Sequence, residues 1–93
     1  MFNMHIGKVI GTVVATRKDE NLVGCKLMVV QPLNAKLEPE KEELVAVDTV
    51  GAGVGETIVY TSGTAARIGA KRLDSPIDLS IVGIVDMIDL EEK

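Results

Sequence analysis

β-Branched apolar runs alternate with short polar breaks along this chain, and that rhythm predicts its elements. Residues 4–16, MHIGKVIGTVVAT, set Ile6 against Lys8 and Ile10 against Thr12, the period-two pattern of a half-buried strand. The pattern blurs at Val13 and Val14, and Gly7 and Gly11 interrupt it. One long curved strand with a bend or bulge is the reading. RKDENLVG (17–24) holds Asp19, Asn21 and Gly24 and reads as a turn. CKLMVVQ (25–31) is a second strand, which Pro32 is expected to stop. PLNAKLEPEKEE (32–43), with its prolines and crowded charges, reads as an exposed loop.

LVAVDTV (44–50) and ETIVYTS (56–62) follow as strands three and four. TAARIGAKRL (64–73) changes character: Ala65, Ala66, Ile68, Ala70 and Leu73 are compatible with a short helix, capped by Ser62 or Thr64. After Pro76, IDLSIVGIVDMIDL (77–90) predicts a long final strand. Strict alternation puts Ile77, Leu79, Ile81, Gly83, Val85 and Met87 on one face and Asp78, Ser80, Val82, Ile84, Asp86 and Ile88 on the other. The second face begins polar and turns apolar at Val82 and Ile84, so it wants cover of its own, and a neighbouring subunit is one source. Five strands with one short helix predict a mainly β fold, a small OB-like β-barrel.

At 93 residues the chain fits one domain, taken as 1–93. A chain this short buries only about two-thirds of its unfolded surface, and oligomerisation is a common remedy. Aromatics are 2% of residues and the net charge is −4. The basic residues are scattered, with no run longer than two, so neither a basic face nor stacking platforms for nucleic acid are in evidence. No apolar run approaches the about 18 residues of a membrane span. Cys25 is alone, which excludes an internal disulfide and suits a reducing, cytoplasmic setting.

The most conspicuous motif is DTVGAGVGE (48–56), with Gly51, Gly53 and Gly55 in five positions. A phosphate-cradling loop needs a following helix whose amides face the anion. Here strand formers follow, the spacing is G-x-G-x-G, and no Lys-Ser or Lys-Thr comes after Gly55. A tight connection between strands, with glycines at positive φ, is the expectation. Gly51, Ala52 and Gly53 are small enough for a crowded axis or a subunit contact. Asp48 interrupts the apolar run of Val45, Val47 and Val50; it is a turn former, or a carboxylate that fixes the connection or meets Arg67.

The same stretches, taken together, resemble one family. GKVIGTVVATRK (7–18), VQPLN (30–34), VAVDTVGAGVGE (45–56), SGTAAR (62–67) and PIDLSIVGIVD (76–86) occur in an order and spacing similar to the bacterial microcompartment vertex proteins of the EutN/CcmL type. The resemblance runs from about residue 4 to residue 89. Asn34, where Asp is expected, and Thr64, where Ser is usual, are small departures. The resemblance implies a barrel subunit forming a homopentamer, set at the corners of a polyhedral shell beside hexameric wall proteins.

The residues proposed for the subunit interface or central axis are Asp48, Val50, Gly51, Ala52, Gly53, Gly55, Arg67, Val82 and Ile84. No catalytic set is expected: His5 is the only histidine and lies in no motif, and Cys25 has no CxxC partner. No metal or cofactor is expected either, since Asp86, Asp89, Glu91 and Glu92 read as a solvated acidic tail. The rival reading is an OB-like module binding a small ligand or single-stranded nucleic acid.

Overall fold

The computed structural model describes residues 4–14, 24–63 and 79–91. Five strands form: β1 (Met4–Val13), β2 (Lys26–Leu33), β3 (Leu44–Asp48), β4 (Thr57–Ser62) and β5 (Leu79–Ile84). They close into a barrel in the order β1-β2-β3-β5-β4. Every contact between neighbours is antiparallel except β3 with β5, which is parallel and has only two pairs, Val47↔Ser80 and Asp48↔Ile81. The helix expected over 64–73 lies outside the described residues.

Alternation along the strands fills the barrel. Val9, Met28, Val30, Ala46, Ile58, Tyr60 and Ile81 point inward and form the core with Ala52. The lack of large aromatics is met by close packing. Gly7 faces Val30 and Tyr60, and a Cβ there would collide with Val30 Cγ1. The bulge anticipated on β1 falls between Val9 and Gly11, where the register against β2 shifts. It passes over Ile10, which is left 46% exposed.

Two strand boundaries differ from expectation. β2 continues through Pro32, which pairs with Gly7. The pairing with β3 has already ended at Val30↔Leu44, so no ladder bond is lost for want of an N–H at Pro32. Its carbonyl instead accepts the Glu40 N–H at 3.0 Å. β5 stops at Ile84 rather than running to residue 90. Its partner β4 begins at Thr57, and after the Val85 N–H donates to the Thr57 carbonyl no strand remains to pair with.

β5 also carries a bulge that overturns the expected faces. Val59 pairs with Gly83 but Tyr60 pairs with Ile81, so Val82 is the extra residue. Beyond it the alternation flips. Ile84 comes opposite the core residue Ile58 and sits at the barrel mouth, not on an outer face with Val82.

The exposed segment 34–43 is ordered by two side chains. Asn34 Oδ1 accepts the N–H groups of Lys36 and Glu38 at 2.9 and 3.0 Å. Gln31 Nε2 donates to the carbonyls of Pro32 and Lys41 at 3.0 and 3.2 Å. The segment reaches the barrel end where Tyr60 lies, and there His5 stacks on the Tyr60 ring with centroids 5.0 Å apart. On β3, β4 and β5, Val47, Thr61 and Ser80 are buried although they occupy outward positions. The hydroxyls of Thr61 and Ser80 have no hydrogen-bond partner among the described residues.

Candidate functional site

The glycine connection between β3 and β4 spans residues 49–56 and closes one end of the barrel. Its course is set by carboxylates. β3 ends at Asp48, whose Oδ1 accepts the N–H groups of Val50 at 3.0 Å and Gly51 at 3.1 Å. This is the local bonding that makes Asp a turn former. Thr49 Oγ1 donates to the Ile81 carbonyl at 2.6 Å and fastens the start of the connection to β5. Gly51 then takes φ of 80° and Gly55 takes 94°, the left-handed region that favours glycine.

Glu56 holds the second half. Its Oε1 accepts the Gly53 N–H at 2.6 Å, while its own N–H donates to the Gly53 carbonyl at 3.1 Å. The Gly55 N–H donates to the Val9 carbonyl at 2.8 Å and the Val9 N–H to the Glu56 carbonyl at 3.0 Å, which ties the far end to β1 at its bulge. Between these anchors Ala52 is pressed fully into the core. The connection is thus a bonded plug with an apolar rim, Val50 and Val54 being 39% and 63% exposed.

This geometry answers the phosphate question. The amides of Val50, Gly51 and Gly53 are already bonded to the carboxylates of Asp48 and Glu56. An anion would have to displace like charge to reach them.

The expected site residues divide accordingly. Asp48 fixes the connection through backbone amides. Gly51, Gly55 and Val50 are at its exposed surface. Gly53 is not at positive φ, contrary to expectation; its small size leaves room for Glu56 Oε1, which a Cβ would approach to 3.3 Å. Ala52 is fully buried in the core of its own chain. Val82 is half-buried at the bulge and Ile84 is 39% exposed at the mouth. Arg67 lies outside the described residues. Glu56 escaped the sequence reading. The spacing Gly53-x-x-Glu56, three residues as in a capping box, was the available signal.

Other chemistry is sparse. Among the described residues no group of three His, Cys, Asp or Glu side chains is placed to hold a metal. Burial, and secondarily the charge of Glu40, push the Tyr60 hydroxyl above its ordinary pKa.

Comparison with known proteins fits this architecture. The family model described as "Ethanolamine utilisation protein EutN/carboxysome" matches residues 4–86. The bacterial microcompartment shell vertex protein GrpN of Rhodospirillum rubrum is 50% identical over 86 residues, 92% of this chain and 97% of that protein. The carboxysome shell vertex protein CcmL of Synechocystis is 44% identical, covering 94% of this chain and 87% of that protein. Among solved structures, the GrpN pentameric microcompartment shell protein from Rhodospirillum rubrum superposes with a TM-score of 0.84 at 48% identity, covering 95% of this chain and 99% of that one.

Proposed function

The chain belongs to the EutN/CcmL family, and on that premise we propose that it forms the pentameric tiles closing the corners of a bacterial microcompartment shell. The observation that carries this reading is the identity of half the aligned residues to a shell vertex protein, nearly end to end on both chains. The action is geometric. A flat lattice of sixfold tiles cannot close, and a fivefold tile at each corner supplies the curvature. The protein works in the shell, within the cytoplasm, and its role is structural rather than catalytic.

A ring needs two dissimilar patches on each subunit, one for each neighbour. Its rim then meets hexameric wall proteins, through contacts that gain strength because each ring touches several neighbours at once. The rival binding-module reading calls for a basic groove with stacking aromatics, and a net charge of −4 with 2% aromatic residues argues against it.

Electron microscopy of sixfold wall tiles assembled with and without the protein tests the vertex role. Closed shells are expected only when it is present; open or elongated ones are expected when it is left out. Shells that close normally without any pentameric tile would refute the reading, even if the isolated protein were a ring of five.

A further inference from the structure

The outer wall of the barrel is apolar over β1, β2 and β3, where a solvent-facing antiparallel wall is ordinarily polar. Two alternate rows cross these strands in register, Gly11↔Val29↔Val45 and Val13↔Leu27↔Val47. Both rows face away from the core. The row between them, Thr12↔Met28↔Ala46, is the one that puts Met28 and Ala46 inside. Val45 is 48% exposed, and Val13, Leu27 and Val29 are half-buried.

A second set of exposed apolar side chains follows the last strand. Past Ile84 the chain leaves the barrel in a non-strand course after the Val85–Thr57 bond. In residues 85–91 Met87 is 82% exposed and Leu90 53%. An exposed pair of this size in so short a segment is disfavoured in water.

We propose that in the ring the 85–91 segment of each copy packs, through Met87 and Leu90, on the Val29–Val45 wall of the next copy. The inference rests on the pentamer reading and gives it a contact. Cyclic assembly requires two different, mutually complementary patches on one chain. An apolar barrel wall and an exposed apolar segment beyond the last strand are two different patches of this kind. The occupant is a second copy because a 48% identical solved relative is described as pentameric and aligns over 95% of this chain.

Native mass spectrometry over a dilution series tests this, with circular dichroism reporting the fold. The variants are Val45→Glu, Met87→Glu and a chain ending at Val85. The control is Leu37→Glu, whose side chain is also 48% exposed but lies in the 34–43 segment. The unaltered chain and the control should form rings at the same concentration. The three test variants should need about tenfold more protein or worse while keeping their β-sheet spectrum. Rings from Met87→Glu and the shortened chain that match the control would overturn the proposal and leave the pentamer standing. These two changes lie outside the barrel, so the result does not depend on how Val45→Glu folds. An unaltered chain that is monomeric would overturn both.

Discussion

Gly53 and Glu56 are bonded in both directions: the Gly53 N–H donates to the Glu56 carboxylate at 2.6 Å, and the Glu56 N–H donates to the Gly53 carbonyl at 3.1 Å. The pair holds the second half of the glycine connection. Glu56→Ala removes a charge-assisted bond and leaves the Gly53 amide unmatched, so it should cost about 1–2 kcal/mol. Glu56→Gln keeps an acceptor oxygen and should cost less. Urea unfolding of the two variants checks the order; equal losses would mean that the carboxylate charge, not the acceptor, matters.

Glycine substitutions should rank by what surrounds each one. At Gly7 a Cβ meets Val30 Cγ1, then Tyr60 Cε1 at 3.1 Å and the Gln31 carbonyl at 3.2 Å. Gly7→Ala should therefore cost about 1–3 kcal/mol by overpacking. Gly51→Ala meets open space but keeps φ at 80°, and should cost roughly 1 kcal/mol. Gly53→Ala has neither obstacle in full, only Glu56 Oε1 at 3.3 Å, and should be the mildest. Thermal melts of the three proteins give the ranking.

Thr61 and Ser80 are cross-strand partners whose buried hydroxyls lack hydrogen bonds among the described residues. Replacing an unsatisfied buried hydroxyl with an apolar group of similar shape removes a desolvation penalty. Thr61→Val should leave stability unchanged or raise it by about 1 kcal/mol, against the usual loss for a buried substitution. Chemical denaturation gives the sign directly, and a clear loss would point to a partner that engages these hydroxyls.

Tyr60 gives the fold an alkaline limit. Burial and then Glu40 raise its folded-state pKa above the unfolded value of 10.0. Below pH 10 both states are protonated, and the group has no effect on the pH dependence. Above it the unfolded chain loses its proton first, so stability falls until the folded pKa is passed. The chain has one tyrosine, so phenolate absorbance reads the group alone. Glu40→Gln should lower the folded titration midpoint and shrink the alkaline loss, without abolishing the part due to burial.

Strand positions were legible because β-branched runs and breakers coincide with them, as at Leu44–Asp48 and Thr57–Ser62. Boundaries set by partners were not. Pro32 stays in a strand because β3 has already ended beside it, and β5 stops because β4 offers nothing further, facts of pairing rather than propensity. The Val82 bulge hid for the same reason: an unbroken apolar run gives no sign of which residue is skipped, yet one skip moves Ile84 from an outer face to the barrel mouth. In the glycine connection, Asp48 was recognisable as a turn former. Glu56 was not, since a glutamate at the start of a strand reads as surface until its carboxylate is seen on Gly53. Asn34 likewise looked like loop surface, and its paired backbone acceptances make it the organiser of that loop.

Each of the five strands has a hydrogen-bonded partner on both sides. Among the described residues most strand backbone is therefore paired within the chain, and little of it is open to a stray strand, its own or another protein's. Attachment to neighbours is left to side chains, whose fit is selective where backbone pairing is not. For the vertex role proposed above, the consequence is that free rings should persist at raised concentration without growing into fibres, which light scattering over a concentration series checks.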